Sequence, residues 1–511
     1  MLAKVKCFSL SGIKGYGVDV EVDVNPGMPS YETVGLGDTA VKESRERIRS
    51  AIKNSGLEYP IKKITINLAP ADTKKEGPLF DLSIAVGLLV TTEQIRGDEY
   101  KKYVILGELS LDGSIRHING VMPMLISALS EGYTKFIIPR ENVAEASFIK
   151  GIEAFGVNNL SECVAFLSGD DSACAKVVGA EYVGEYVTSR FGVDFADVKG
   201  QASAKRALEI AVSGGHNVLM MGPPGTGKSM LAKCVPGIMP KMSFEEALEV
   251  TMIHSVAGKL SQKDGIVQTR PFRSPHHTAT NIALIGGGAT CKPGEISLAH
   301  NGVLFLDEMP EYSRHTLETL RQPLEDGVIS VSRAYGTVEY PAHFMLIASM
   351  NPCPCGNYGS KKQRCTCTPV QIHKYMSKLS GPLMDRIDLH IEVDSIDYEN
   401  LRDKTVSESS AMIRERVERA REVQRRRFEG VDGVYTNSQM KNKDINLYCK
   451  LDEECEKLFE TAFKRFNLSA RAGMRILKVA RTIADLNGHE NIEAADLSEA
   501  VRYRATDKKV L

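Results

Sequence analysis

Runs that alternate apolar and polar positions fill residues 1 to about 168, interleaved with stretches at helical spacing. Ile61-Lys-Lys-Ile-Thr-Ile-Asn-Leu changes character at nearly every second residue, which predicts a strand with one buried face. Asp81 to Leu89 is apolar almost all round and predicts a buried helix, after which Tyr103-Val-Ile-Leu-Gly-Glu-Leu returns to strand. Ser168-Gly-Asp-Asp-Ser then opens a polar stretch without periodicity, predicting a linker over 169–192. Between Phe195 and Val393 three apolar runs are continuous: Asn217 to Met221, Gly302 to Leu306 and Phe344 to Met350. Such runs are expected of parallel strands covered on both faces. Beyond residue 396 the pattern becomes helical over Glu408–Phe428, Asp452–Phe466, Ala470–Leu486 and Ile492–Arg504. The expected organisation is a multidomain α/β chain: an α+β unit over 1–168, a linker, an α/β core with a parallel sheet over 193–395, and a helical unit over 396–511.

Composition narrows the picture only slightly. A formal net charge of -1 over 511 residues excludes a globally basic nucleic-acid binder, though not a basic stripe or pore. The longest apolar run, Ile84 to Val90, is too short to span a bilayer, so no membrane partner is expected. The first eight residues lack the apolar region of a signal peptide. Eleven cysteines, an odd number, then fit reduced thiols and a cytoplasmic protein.

The densest chemistry is the stretch Gly222, Pro223, Pro224, Gly225, Thr226, Gly227, Lys228, Ser229, which fits the phosphate-cradling pattern G-x-x-x-x-G-K-[ST]. It follows a predicted strand and opens a predicted helix, the context this loop requires. Its glycines let successive N–H groups turn toward phosphate oxygens. Lys228 is placed to neutralise the β/γ-phosphates of ATP, and Ser229 to put its hydroxyl on Mg²⁺. The second apolar run ends in Asp307 and Glu308: the first is the candidate Mg²⁺ carboxylate, the second the candidate base for an attacking water. An isolated Asp-Glu pair is ordinarily a solvated strand end; behind a buried strand and beside a phosphate loop it reads as catalytic. Asn351 ends the third run, where an amide can reach the γ-phosphate or the water.

Gly-Pro-Pro-Gly-Thr-Gly-Lys-Ser, Leu-Phe-Leu-Asp-Glu and Ile-Ala-Ser-Met-Asn together resemble an AAA+ ATPase. Arg270-Pro-Phe-Arg-Ser-Pro-His-His, followed by Pro293-Gly-Glu-Ile-Ser-Leu-Ala-His, resembles its magnesium-chelatase branch. Over nearly its whole length the chain is similar to the ComM/YifB-like proteins. That resemblance implies an ATP-hydrolysing homo-oligomeric ring, a hexamer, acting on single-stranded or branched DNA in branch migration, recombination or natural transformation. It also implies Arg386, in Leu-Met-Asp-Arg-Ile-Asp, as the arginine finger given to a neighbouring subunit, with pairing to Asp385 or Asp388 as the bland alternative. Arg471 stands where the family's nucleotide-sensing lid arginine lies, and Arg475 follows one turn later on the same face. Val328 to Tyr340 reads as a β-hairpin whose tip carries Arg333 and Tyr335. In related rings such a hairpin enters the pore, so these two are candidate DNA contacts; a solvated turn is equally compatible. A metal-insertion motor and a protein remodeller are the alternative functions.

The first unit resembles a Lon-type protease domain, yet Leu79 and Met122 stand where that family carries its serine and lysine, so no peptidase is expected. Ser83 and Lys74 lie nearby but out of register. Four clustered cysteines, Cys353, Cys355, Cys365 and Cys367, form two C-x-C pairs that suit Zn²⁺, with free thiols and redox pairing left open. Adjacent His276 and His277 read as loop contacts. The run Arg414 to Arg427 reads as a helix laced by opposite charges, with DNA or subunit contact as the second reading.

Overall fold

A computed structural model describes residues 2–75, 77–187, 192–261, 263–288, 291–333, 336–359, 363–395, 407–431 and 433–505. The first unit is built on an eight-stranded mixed sheet. Its order is Ala175–Lys176, Glu153–Val157, Lys135–Pro139, Val104–Ile105, Leu2–Ser11, Lys14–Asn25, Lys63–Ala69 and Ser30–Val34. The alternation seen in the sequence sets its faces: Val18, Val20, Val22 and Val24 all point into one core. The helices Asp81–Thr91 and Val121–Ser130 cover it, the first buried from Asp81 through Val90. The sheet continues past residue 168, because Ala175–Lys176 pairs antiparallel with Glu153–Val157. The expected linker therefore begins later than its polarity suggests: an edge strand of two exposed residues carries no apolar signal.

The second sheet has five parallel strands in the order Phe272–Arg273, Val303–Leu306, Met345–Met350, Val218–Met221, Leu389–Glu392. All three continuous apolar runs lie in it, buried as their composition requires. One face packs with the C-terminal helices Ser410–Arg427, Glu453–Phe466, Ala470–Asn487 and Ala494–Ala505, so Leu389 and Ile391 share a core with Ile476, Ile483 and Leu497. A short helix, Asn442–Tyr448, was not expected. The arginine-rich helix is knitted to this body: Arg416 pairs with Glu209 and Glu408, and Arg427 with Asp485, while Arg425 and Arg426 stay exposed beside Glu422.

The hairpin forms as predicted, Val328–Arg333 against Gly336–Pro341. Tyr335 lies outside the described residues, as does the side chain of Arg333. Its second arm leans on the first unit: a Cβ on Gly12 would come within 2.1 Å of Val338.

The two sheets are joined through the helix Phe244–Val256, which packs on Val121–Ser130 with Met122, Val250 and Ile266 between them. A buried polar knot locks this contact. The Ser255 hydroxyl donates to the Glu145 carboxylate and accepts the Gly120 N–H at 3.0 Å, while the Met122 N–H reaches Glu145 at 2.9 Å. Burial raises the Glu145 pKa, and these donors oppose it. Ser255→Val is expected to cost about 1–3 kcal/mol, because it strands a buried carboxylate and an N–H. A urea midpoint left unchanged by Ser255→Val, or not restored by Ser255→Thr, would contradict that role.

Candidate nucleotide site

The phosphate-type loop runs from the end of Val218–Met221 into the helix Lys228–Cys234. Gly225 and Gly227 sit at φ +76° and +89°, and a Cβ on Gly222 would lie 2.1 Å from the Val393 carbonyl oxygen. Side chains are excluded there by backbone conformation and by close approach. Lys228 is buried, and its Nζ donates to the carbonyls of Gly222 (2.7 Å) and Pro223 (2.8 Å) and to Asn351 Oδ1 (3.2 Å). These acceptors are neutral. Burial lowers the Lys228 pKa, with Asp307 and Glu308 pulling the other way. A cation held by neutral groups in a dry site is one that an anion would stabilise.

Ser229 Oγ donates to Asp307 Oδ2 at 2.8 Å, and the other Asp307 oxygen accepts from Ser349. Ser349 Oγ also accepts the Glu308 N–H at 3.2 Å, so one hydroxyl positions both acids. Glu308 occupies the left-handed region (φ 51°, ψ 49°), uncommon for a residue with a side chain and typical of functional turns. That turn leaves its carboxylate 56% exposed, 4.0 Å from His277 Nδ1. His277 stacks on His276 with ring centroids 4.1 Å apart and meets the edge of Tyr312. Ser349 and His277 were not assigned to this site from the sequence. Ser349 is a small polar residue inside an apolar strand, a signal that was available; the position of His277 depends on a long-range loop.

The arginines gather on another cleft. Arg386 is largely buried, donates to the Pro382 carbonyl at 2.6 Å, and pairs with Glu325 rather than with Asp385 or Asp388. Arg471, 68% exposed, approaches the same Glu325 at 3.8 Å. Burial lowers the Arg386 pKa, and Arg321, Arg471 and Arg475 add to it. Arg475 is committed elsewhere, to Asp388 and the Arg386 carbonyl. Burial alone would raise the Asp388 pKa, but Arg475, His216 and the Asn217 N–H hold it far below the usual carboxylate range.

In the first unit, Leu79 is partly buried and Met122 fully so. Ser83 is buried and donates to the Ile105 carbonyl at 2.6 Å, which leaves it structural. The four clustered cysteines converge, with sulfur separations of 3.4 Å (Cys353–Cys355), 3.7 Å (Cys353–Cys365) and 3.6 Å (Cys355–Cys365). None of the eleven cysteines is bridged. Among the described residues no helix is long and apolar enough to cross a membrane.

Comparison with known sequences covers the whole chain. Residues 194–401 match the family profile "Magnesium chelatase, subunit ChlI", residues 20–142 match "Subunit ChlI of Mg-chelatase", and residues 407–504 match the ChlI C-terminal part. The protein YifB of Escherichia coli is 44% identical over 98% of this chain and 96% of its own. Competence protein ComM of Haemophilus influenzae is 43% identical over 99% of this chain and 97% of its own. The magnesium-chelatase subunit ChlI of Pyropia yezoensis is 23% identical over 60% of this chain and 86% of its own. Full-length identity of this order, on a parallel sheet that carries the phosphate-type loop at the end of its strand Val218–Met221, places the chain in the ComM/YifB family.

Proposed function

We propose that this protein is an ATP-hydrolysing AAA+ ring motor that acts on DNA. The observation that carries the ATPase reading is the convergence of Lys228, Asn351, Ser229, Asp307 and Glu308 at the ends of three neighbouring parallel strands. Ser229 and Asp307 offer a hydroxyl and a carboxylate already in contact, hard oxygen donors of the kind Mg²⁺ takes, so the residues present fit that ion. Bound there with ATP, Mg²⁺ would offset charge on the phosphates. Gly222 to Gly227 would cradle the phosphates through backbone N–H groups, and Lys228 would hold their negative charge. Glu308, exposed and turned away from the strand, would orient and deprotonate the attacking water, and Asn351 would hydrogen-bond the γ-phosphate side.

Arg386 and Arg471 are assigned to the same chemistry, the first reaching a neighbour's nucleotide and the second its own. Both share Glu325 in the single chain, so the finger role requires Arg386 to leave that pair. We read the first unit as a Lon-like fold without peptidase chemistry, the Phe195–Val393 region as the ATPase core, and the C-terminal helices as its lid. We read the assembly as a hexameric, cytoplasmic ring and its DNA reaction as branch migration; similarity to the competence protein ComM of Haemophilus influenzae and the hairpin Val328–Arg333/Gly336–Pro341, with Arg333 and Tyr335 in its turn sequence, support that reading.

The test is the ATPase rate and ring assembly of the full chain with and without single-stranded, duplex and branched DNA. Stimulation by branched or single-stranded DNA is expected. ATP turnover without stimulation and without branched-DNA binding would remove DNA from the reading and favour a metal-insertion or protein-remodelling motor.

A further inference from the structure

We propose that Cys353, Cys355, Cys365 and Cys367 bind one Zn²⁺ as a tetrathiolate, and that this centre fixes the position of the phosphate-type loop. Each cysteine offers one sulfur, and the four lie within 4.8 Å of one another. Zn–S bonds of about 2.3 Å at tetrahedral angles put sulfurs about 3.8 Å apart, whereas a disulfide needs about 2.05 Å. The separations of 3.4, 3.6 and 3.7 Å among Cys353, Cys355 and Cys365 lie near that tetrahedral edge and far from a bond, and Cys367 is likewise unbridged.

Two backbone donors point at the sulfurs: Tyr358 N–H to Cys353 Sγ at 3.3 Å and Cys355 N–H to Cys367 Sγ at 3.4 Å. Donors aimed at sulfur suit the form that binds a metal, and four sulfurs converging at this spacing suit one shared cation. A soft all-sulfur set selects zinc over magnesium or calcium. Binding exchanges the metal for up to four thiol protons, which pass to solvent, and no oxidation is involved.

The centre lies against the loop it would steady. Gly356 follows Cys355 at φ +80°, and a Cβ there would come within 2.5 Å of Pro224. On the other side, Cys353 lies two residues beyond Asn351, whose side chain accepts from Lys228, and the Gly222 N–H bonds the Met350 carbonyl at 3.2 Å. The metal knuckle thus grips the end of the strand Met345–Met350 and abuts the loop beside it. Free thiols here would leave the knuckle's turns without a cross-link, because the two pairs are separated by nine residues. That this loop holds ATP rests on the function proposed above, but occupancy by metal and its effect on the loop do not.

Elemental analysis of the full chain, purified reduced and without added metal, is expected to find one zinc per chain. Cobalt substituted for zinc is expected to give the visible spectrum of a tetrahedral thiolate site. Zinc-free protein with freely reacting thiols, two disulfides, or iron in place of zinc would each overturn the assignment. Hydrogen exchange without nucleotide tests the bracing: removing the metal is expected to speed exchange at the amides of Gly222, Gly225 and Gly227 about tenfold or more, and restoring Zn²⁺ alone to reverse it. Unchanged exchange there would refute the bracing even with zinc bound. A conservative Cys355→Ser/Cys365→Ser variant that folds but retains full zinc content would also overturn the site.

Discussion

Lys228→Ala is expected to reduce affinity for Mg·ATP by about a hundredfold or more, measured by calorimetric or fluorescent-nucleotide titration. The side chain's charge-assisted bonds to phosphate oxygens are each worth about 1.5–3 kcal/mol, and two of them correspond to two or more orders of magnitude. Lys228 is buried, and its donors now meet two carbonyls and the Asn351 amide oxygen, so among the described residues the charge has no anionic partner in contact. Truncation therefore removes the group that a phosphate would relieve, rather than one leg of an ion pair. Lys228→Met keeps most of the stem and separates charge from packing; it is expected to lose nearly as much affinity. Retention of wild-type affinity by both variants would dismantle the phosphate-loop reading.

Glu308→Gln is expected to bind ATP normally and to hydrolyse it about 10²–10⁴-fold more slowly, the usual worth of a positioned general base. The amide preserves shape and leaves the backbone link to Ser349 intact, so the acid strand should be undisturbed. Asp307 is different: it is tied to both Ser229 and Ser349, and its loss would disturb binding as well as turnover. The contrast makes the assignment testable in one experiment that reads KM and kcat separately. Normal turnover by Glu308→Gln would transfer the base role elsewhere, with His277, 4.0 Å from that carboxylate, the first residue to examine.

The elements were legible where local chemistry dictates them. The helix Asp81–Thr91 and the strand Lys63–Ala69 follow directly from their periodicity. The hairpin around residue 334 shows the same alternation on both arms. What was not legible has long-range causes. Helix Asn442–Tyr448 is too short to display a helical period, and the edge strand at Ala175 has no buried face to display one. Arg386 was weighed against its sequence neighbours Asp385 and Asp388, whereas its partner, Glu325, lies sixty-one positions away. Arg475 was a spare sensor on a helix face until Asp388 took it.

The sequence by itself determined the loop from Gly222 to Ser229, since its glycines and its flanking strand and helix are consecutive, and backbone curvature is a local property. It also determined that Asp307, Glu308 and Asn351 end buried strands, because continuous apolar runs announce them. Only the tertiary structure decided which strands are neighbours. Met345–Met350 comes last of the three in the chain yet lies between the other two. That order places Asn351 on Lys228 and lets Ser349 hold both acids. Parallel strands are joined by long crossovers, so their order is chosen by how helices and inserts pack over the sheet, which no window of sequence contains.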